Sequence, residues 1–264
     1  MGINMKRPLF TRKGRTLALL AMLILLASLL SCCAEKTVTV CILDSGCSED
    51  HTAGESFLDT ADDLTDSIGH GTHICSLVRD AAPEANVVML KCFDSWASVN
   101  EEAIVAALYA AVDTYHADVI NMSWTLPKES DALHEAIVHA HDRGAILVAC
   151  TGNLSVSTGL GTVAYPAVWD EVIGVAGVDL DEAGAPKTSL WYLYGEAVEF
   201  CARGDCGDEK GSSYAAARVS GQIAAALQSG VESSRISEYL ADLTQDIGEP
   251  GHDGRFGWGY LETP

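Results

Sequence analysis

The sequence predicts an α/β fold: one domain with a mostly parallel central sheet and helices on both of its faces. Three observations carry that prediction. Short β-branched runs, apolar almost throughout, recur along the chain, as expected of strands buried on both faces. Stretches with apolar residues at helical spacing lie between them, and that alternation is the mark of a parallel sheet. With 264 residues, 48% of them hydrophobic, and 24 glycines, the chain has enough apolar material for a sizeable core.

The elements follow in order. Residues 37–43 (TVTVCIL) read as a buried strand closed by Asp44-Ser45-Gly46. Residues 86–92, 118–123, 145–150 and 171–178 repeat the theme. Residues 101–115 place Ile104, Ala107, Leu108 and Ala111 on one helical face. Residues 130–143 do the same with Leu133, Ile137 and Ala140, and Gly144 follows as a helix-ending glycine. Gly211 opens an Ala-rich helical stretch that runs to about Leu227. In parallel sheets the working residues gather at the carboxyl ends of the strands. Asp44 follows the first strand directly, and Asn153 lies three residues beyond the strand ending at Cys150.

The N-terminus reads as a targeting device. Residues 1–31 carry Lys6, Arg7, Arg12, Lys13 and Arg15 and no acid, and an apolar run fills residues 17–30. That run has signal-peptide length and is short for a membrane-spanning helix of about 20 residues. It closes at Leu29-Leu30-Ser31-Cys32, which resembles a bacterial lipobox. The resemblance implies a signal peptide over 1–31, a diacylglycerol on Cys32, a tether over 32–36 and a domain from 37 to 264 outside the cytoplasmic membrane. An uncleaved anchor or ordinary secretory cleavage leaves the domain on that same side. The whole chain has a formal charge of −21, so a nucleic-acid partner is not expected. Nine cysteines stand at 32, 33, 41, 47, 75, 92, 150, 201 and 206. None forms a CxxC pair, so neither zinc nor any other metal or cofactor is read from them. Cys201 and Cys206 are close enough in sequence to bridge a short loop, while Cys41, Cys92 and Cys150 read as buried thiols.

Four segments carry candidate chemistry: Asp44-Ser45-Gly46, Gly69-His70-Gly71-Thr72-His73, Thr151-Gly152-Asn153 and Gly211-Ser212-Ser213-Tyr214-Ala215. Singly, each has an ordinary structural reading as a turn or a helix cap. A zinc-protease reading of His70 and His73 fails, because that motif needs a Glu beside the first His and a second His at i+4. Together the segments keep the order Asp…His…Asn…Ser, with spacings of 26, 83 and 60 residues.

From about Thr37 to the C-terminus the chain thereby resembles the subtilisin-like serine proteases, and Tyr165-Pro166-Ala167 and Gly257-Trp258-Gly259-Tyr260-Leu261 extend the likeness. The resemblance implies a subtilisin-like fold and peptide hydrolysis. Ser213 is then the nucleophile, His70 the general base and Asp44 its orienting carboxylate. Asn153 and the Ser213 N–H form the oxyanion hole. An extended peptide or protein substrate lies along Ser123, Trp124, Thr151, Gly152 and Ala164, with a large apolar residue favoured before the scissile bond. Bulky Trp124 is expected to narrow that wall. The sequence also departs from the family. Ala217 and Arg218 stand where Pro and His are usual, the common calcium-binding insertion is missing after Val78, and residues 32–44 leave no room for a folded pro-segment. The leading expectation is an outward-facing endopeptidase that processes a secreted peptide or protein. The alternative is a lipid-anchored pseudoprotease that binds extended peptides without cutting them. The oligomeric state is not legible.

Overall fold

Alternation along each strand decides which layer its side chains join. The computed structural model describes residues 37–49, 51–58, 63–96, 99–154 and 162–263, so the signal peptide expected over 1–31, the lipidated Cys32 and the tether over 32–36 lie outside the described residues. The sheet is built from β1 (Thr39–Asp44), β2 (Ala53–Ser56), β3 (Asn86–Lys91), β4 (Val119–Met122), β5 (Ile146–Cys150), β6 (Val172–Leu180), β7 (Pro186–Lys187) and β8 (Phe200–Arg203). Its order is β2-β3-β1-β4-β5-β6, all parallel, with β7 antiparallel and β8 parallel to β6. A small hairpin, β9 (Asp205–Cys206) and β10 (Glu209–Lys210), follows.

Five helices of the described residues flank the sheet: α1 (His70–Ala81), α2 (Glu101–Asp113), α3 (Asp131–Asp142), α4 (Ser212–Gln228) and α5 (Ile236–Leu243). Cys41, Leu43, Val88, Leu90, Ile120, Met122, Leu147 and Ala149 point to one side, where they pack with Ile104 and Leu108 of α2 and Leu133 and Ile137 of α3. Val40, Ile42, Val87, Met89, Val119, Val148 and Cys150 point to the other, against Ile74 and Val78 of α1 and Val219 and Ile223 of α4. Each fully buried Val, Leu or Ile contributes about 1.5–3 kcal/mol. Two apolar layers therefore clamp the sheet.

Local chemistry sets the helix ends. Asn100 Oδ1 accepts from Glu102 N at 2.9 Å, and Ser130 Oγ from Leu133 N at 3.3 Å, capping α2 and α3. Gly144 holds φ 89° just past α3, as the sequence predicts. The Ala110 carbonyl takes the N–H of both Thr114 and Tyr115, which ends α2 before the apolar spacing runs out. β2, the β9–β10 hairpin and α5 have no counterpart in the sequence reading. β2 (AGES) is a half-exposed edge strand held by pairing with β3, and α5 buries only Ile236 and Leu240. Among the described residues no helix is long and apolar enough to cross a membrane. The seven described cysteines are free thiols, so Cys201 and Cys206 form no bridge and Cys201 instead donates to Gly259 O at 3.3 Å.

Candidate active site

Three chain ends meet where the parallel strands finish. Asp44 closes β1, His70 opens α1, and Ser213 is the second residue of α4. Asp44 is fully buried, while His70 and Ser213 are 6% and 7% exposed, enough to reach the floor of a surface cleft.

His70 Nδ1 lies 2.8 Å from Asp44 Oδ1. That bond makes Nδ1 the protonated nitrogen and leaves Nε2 as the basic one. The imidazole is also held by rings: Trp96 stands edge-on with centroids 4.8 Å apart, and Tyr214 lies at 5.7 Å. Asp44 Oδ1 further accepts Ser45 N at 2.8 Å and Ser45 Oγ at 3.1 Å. Gly71 has no alternative residue: a Cβ there would stand 2.1 Å from Gly46 O and 3.1 Å from Asp44 Oδ1. The bare backbone of α1 can therefore come down onto the β1 loop, which brings imidazole to carboxylate.

A second carboxylate, absent from the sequence reading, supports this pair. Asp66 Oδ1 accepts Ser45 Oγ at 2.9 Å, Ile68 N at 3.1 Å and Gly69 N at 2.9 Å. Its Oδ2 takes Thr72 N and Thr72 Oγ1, both at 2.8 Å. Gly69 cannot cap α1 with a side chain, so Asp66 satisfies the free N–H groups at the helix start. These carboxylates tune His70. Burial pushes its pKa down, but the Asp44 charge and hydrogen bond, with smaller contributions from Asp66 and Glu209, outweigh burial and leave it raised.

The nucleophile half is built from distant segments. Ser213 Oγ donates to Ser123 O at 3.0 Å, and Ser123 Oγ donates to Ser213 O at 3.0 Å. Behind this pair, Asn121 Nδ2 donates to Ser123 Oγ and Ser220 Oγ donates to Asn121 Oδ1, each at 3.0 Å. The network ties β4 to α4, and neither Asn121 nor Ser220 stands out in the sequence. Asn153 Oδ1 accepts Ser212 N at 2.9 Å and Ser212 Oγ at 3.1 Å, leaving its Nδ2 as the available donor beside the Ser213 N–H at the start of α4. Gly152 N is held by Ser212 Oγ at 3.1 Å, and Ala164 N bonds Thr151 O at 3.1 Å. Ser123 and Gly152 are thus tied to the start of α4, and Ala164 is tied to Thr151. Trp124 is placed otherwise: its side chain is 2% exposed and belongs to the core with Phe93, Ile104 and Leu133, so its bulk fills the interior instead of narrowing the cleft.

Of the departures after the nucleophile, Arg218 has a structural account. Arg218 is buried and donates from Nη1 to Arg203 O at 3.2 Å and Asp205 O at 2.9 Å, fastening the β8–β9 segment to α4. Tyr214 donates its hydroxyl to Glu209. The cleft of about 350 Å³ is lined by His70, Asn153 and Ser213 with Ile68, Trp96, Glu209, Lys210, Gly211 and Tyr214. A second cavity of about 290 Å³, beside the start of α5, is lined by Asp170, Glu171, Glu199 and serines and lies away from His70 and Asn153. A histidine with a fixed tautomer, a serine hydroxyl and an amide side chain share one cleft, and these are groups that acyl transfer can use.

The subtilase family model matches residues 35–259. Subtilisin DY of Bacillus licheniformis is 34% identical over 167 residues, covering 58% of this chain and 61% of that protein. The minor extracellular protease Epr of Bacillus subtilis is 25% identical over 256 residues, covering 86% of this chain and 38% of that protein. The chain thus spans less than two thirds of either relative. Among solved structures, a lanthipeptide protease superposes with a TM-score of 0.71 at 19% identity, covering 85% of this chain and 86% of that one. Fervidolysin from Fervidobacterium pennivorans, a keratinolytic enzyme related to subtilisin, gives 0.73 at 23% identity, covering 87% of this chain and 42% of that one. Both likenesses describe a shared fold.

Proposed function

The chain belongs to the subtilase family, and from that premise we propose that it is a serine endopeptidase using Asp44, His70 and Ser213. The observation that carries this reading is the 2.8 Å Asp44–His70 bond at a cleft shared with Ser213 and Asn153. The Ser213 hydroxyl turns from Ser123 O toward His70 Nε2, gives up its proton there and attacks the scissile carbonyl. Negative charge moves to the former carbonyl oxygen, which receives hydrogen bonds from Asn153 Nδ2 and the Ser213 N–H. The imidazolium, stabilised by Asp44, passes the proton to the departing amine. Water, activated by the same imidazole, then frees the acyl group from Ser213.

Substrate lies extended along Ser123, Trp124, Thr151, Gly152 and Ala164, with a large apolar residue before the scissile bond. Small Ala164 and the lack of charge on this wall support that preference. Residues 1–31 act as an export signal and Cys32 as a lipid anchor, so cleavage takes place outside the cytoplasmic membrane. The target is a secreted peptide or protein, a reading to which the lanthipeptide protease among the structural neighbours lends weight. One observation favours a second reading, a peptide-binding module without cleavage: the Ser213 hydroxyl is bonded to Ser123 O.

A fluorophosphonate probe decides between them. Covalent labelling of the folded wild-type protein, abolished together with peptide hydrolysis in Ser213→Ala, is the expected result. A folded wild-type protein that neither labels nor hydrolyses any peptide overturns the peptidase reading in favour of the binder.

A further inference from the structure

We propose that Glu209 selects Lys or Arg as the first residue beyond the scissile bond. The inference deepens the peptidase reading and rests on it. In that reaction His70 protonates the leaving amine, so the peptide beyond the cut passes over the imidazole. The acyl side has its own wall, formed by Ser123, Thr151, Gly152 and Ala164. None of these four lines the cleft that His70 shares with Asn153 and Ser213, whereas Glu209, Lys210 and Tyr214 do. Tyr214 packs against the rings of both His70 and His73, at centroid distances of 5.7 and 6.3 Å, and its hydroxyl donates to Glu209. Glu209 therefore stands in the cleft beside the imidazole that protonates the leaving amine, held there through Tyr214.

The rim carries the carboxylate of Glu209 and the ammonium of Lys210. Lys210, next to Glu209, puts its Nζ 3.0 Å from Asp179, and Arg203 is bonded to Asp205 at 2.7 Å, so the nearby cations are already matched. Among the described residues, the contacts of the Glu209 carboxylate with the Tyr214 hydroxyl and with His73 Nδ1 at 3.6 Å both fall on Oε2. Its side chain is 58% exposed, which leaves Oε1 open to an incoming cation. Tyr214 fixes the carboxylate in place, so an ion pair with substrate loses little further freedom there. The backbone of β10 is pinned as well, with Trp191 Nε1 donating to Lys210 O at 3.1 Å. A flexible Lys or Arg stem bringing its charge to Glu209 is the complement of this rim.

Internally quenched peptides that differ only at the first residue after the cut (Lys, Arg, Gln or Glu) test the assignment. For the wild-type protein the kcat/KM ratio of the Lys to the Glu peptide should be about tenfold at low ionic strength, the scale of one exposed ion pair exchanged for one repulsion. The ratio should shrink in 0.5 M NaCl, where screening shortens the reach of the charge. It should fall to near one in Glu209→Gln, which keeps an acceptor for Tyr214, and invert in Glu209→Lys. A wild-type protein that labels with fluorophosphonate and cleaves, yet shows a flat ratio or one that Glu209→Gln leaves unchanged, overturns this inference alone. A folded protein that neither labels nor cleaves overturns the peptidase reading, and this inference with it.

Discussion

The two halves of the candidate site are assembled in different ways. Asp44 and His70 are 26 residues apart and already joined at 2.8 Å, and their supports, Ser45, Asp66 and Gly71, come from the same two loops. Ser213 depends on partners much further along the chain: Ser123 at 90 residues, Gly152 at 60 through Ser212, and the Asn121–Ser220 bond at 99. In the first half the working bond is made. In the second the hydroxyl rests on a backbone carbonyl and must rotate to react. The acid–base pair is thus a preformed unit, whereas the nucleophile is positioned by the packing of α4 on β4 and β5.

That contrast can be broken at either end. Asp44→Asn strikes the preformed unit. It offers the wrong partner to the imidazole N–H, so kcat should fall by about 10⁴ while the fold persists. Steady-state hydrolysis of an apolar fluorogenic peptide measures it, and a loss below tenfold would mean that the bond is structural only. Asn153→Ala strikes the other half. Losing a side-chain oxyanion donor should reduce kcat by about 10²–10³ with KM little changed. The same change removes the acceptor for Ser212 N and Ser212 Oγ, so a drop in thermal stability should accompany it. A rise in KM with kcat unchanged would place Asn153 outside the oxyanion hole.

The same difference governs what the sequence discloses. Asp44, His70 and Ser213 are legible because each sits at a strand end or helix start within a short motif, and the spacing of those motifs is constrained by the fold between them. The central strands are legible because they are apolar throughout. Asn121 and Ser220 are not, since a buried polar bond between residues 99 apart leaves no local pattern. Trp124 misleads for a related reason: its neighbour Ser123 is bonded to Ser213, while its own side chain turns into the core with Phe93 and Leu133. β2 escapes because an edge strand held by backbone pairing needs no apolar run. Glu209 stands only four residues before Ser213, but an exposed two-residue strand of charged residues carries no local pattern that sets it apart.

The smallest effect concerns the support of the preformed unit. Burial lowers the pKa of His70, and the charge and hydrogen bond of Asp44, then Asp66, then Glu209, raise it beyond that. His70 must be neutral to accept a proton, so the acid limb of kcat/KM should lie above the ordinary histidine value. Asp66→Asn keeps an oxygen for the N–H groups at the start of α1 but removes the charge, and the limb should move to lower pH. Glu209→Gln should move it the same way by less. Stability supplies an independent reading of the sign. A histidine whose folded pKa is raised stabilises the fold fully below its unfolded value of about 6.5, and that contribution disappears as pH rises through the folded value. The Asp66→Asn protein should therefore lose more thermal stability relative to wild type at pH 5.5 than at pH 9. Asp66 itself, with a depressed carboxyl pKa, stays ionised at both and does not confound the comparison. An acid limb that stays put or moves upward would show that Asp66 serves the helix start alone, and that the tuning of His70 belongs wholly to Asp44.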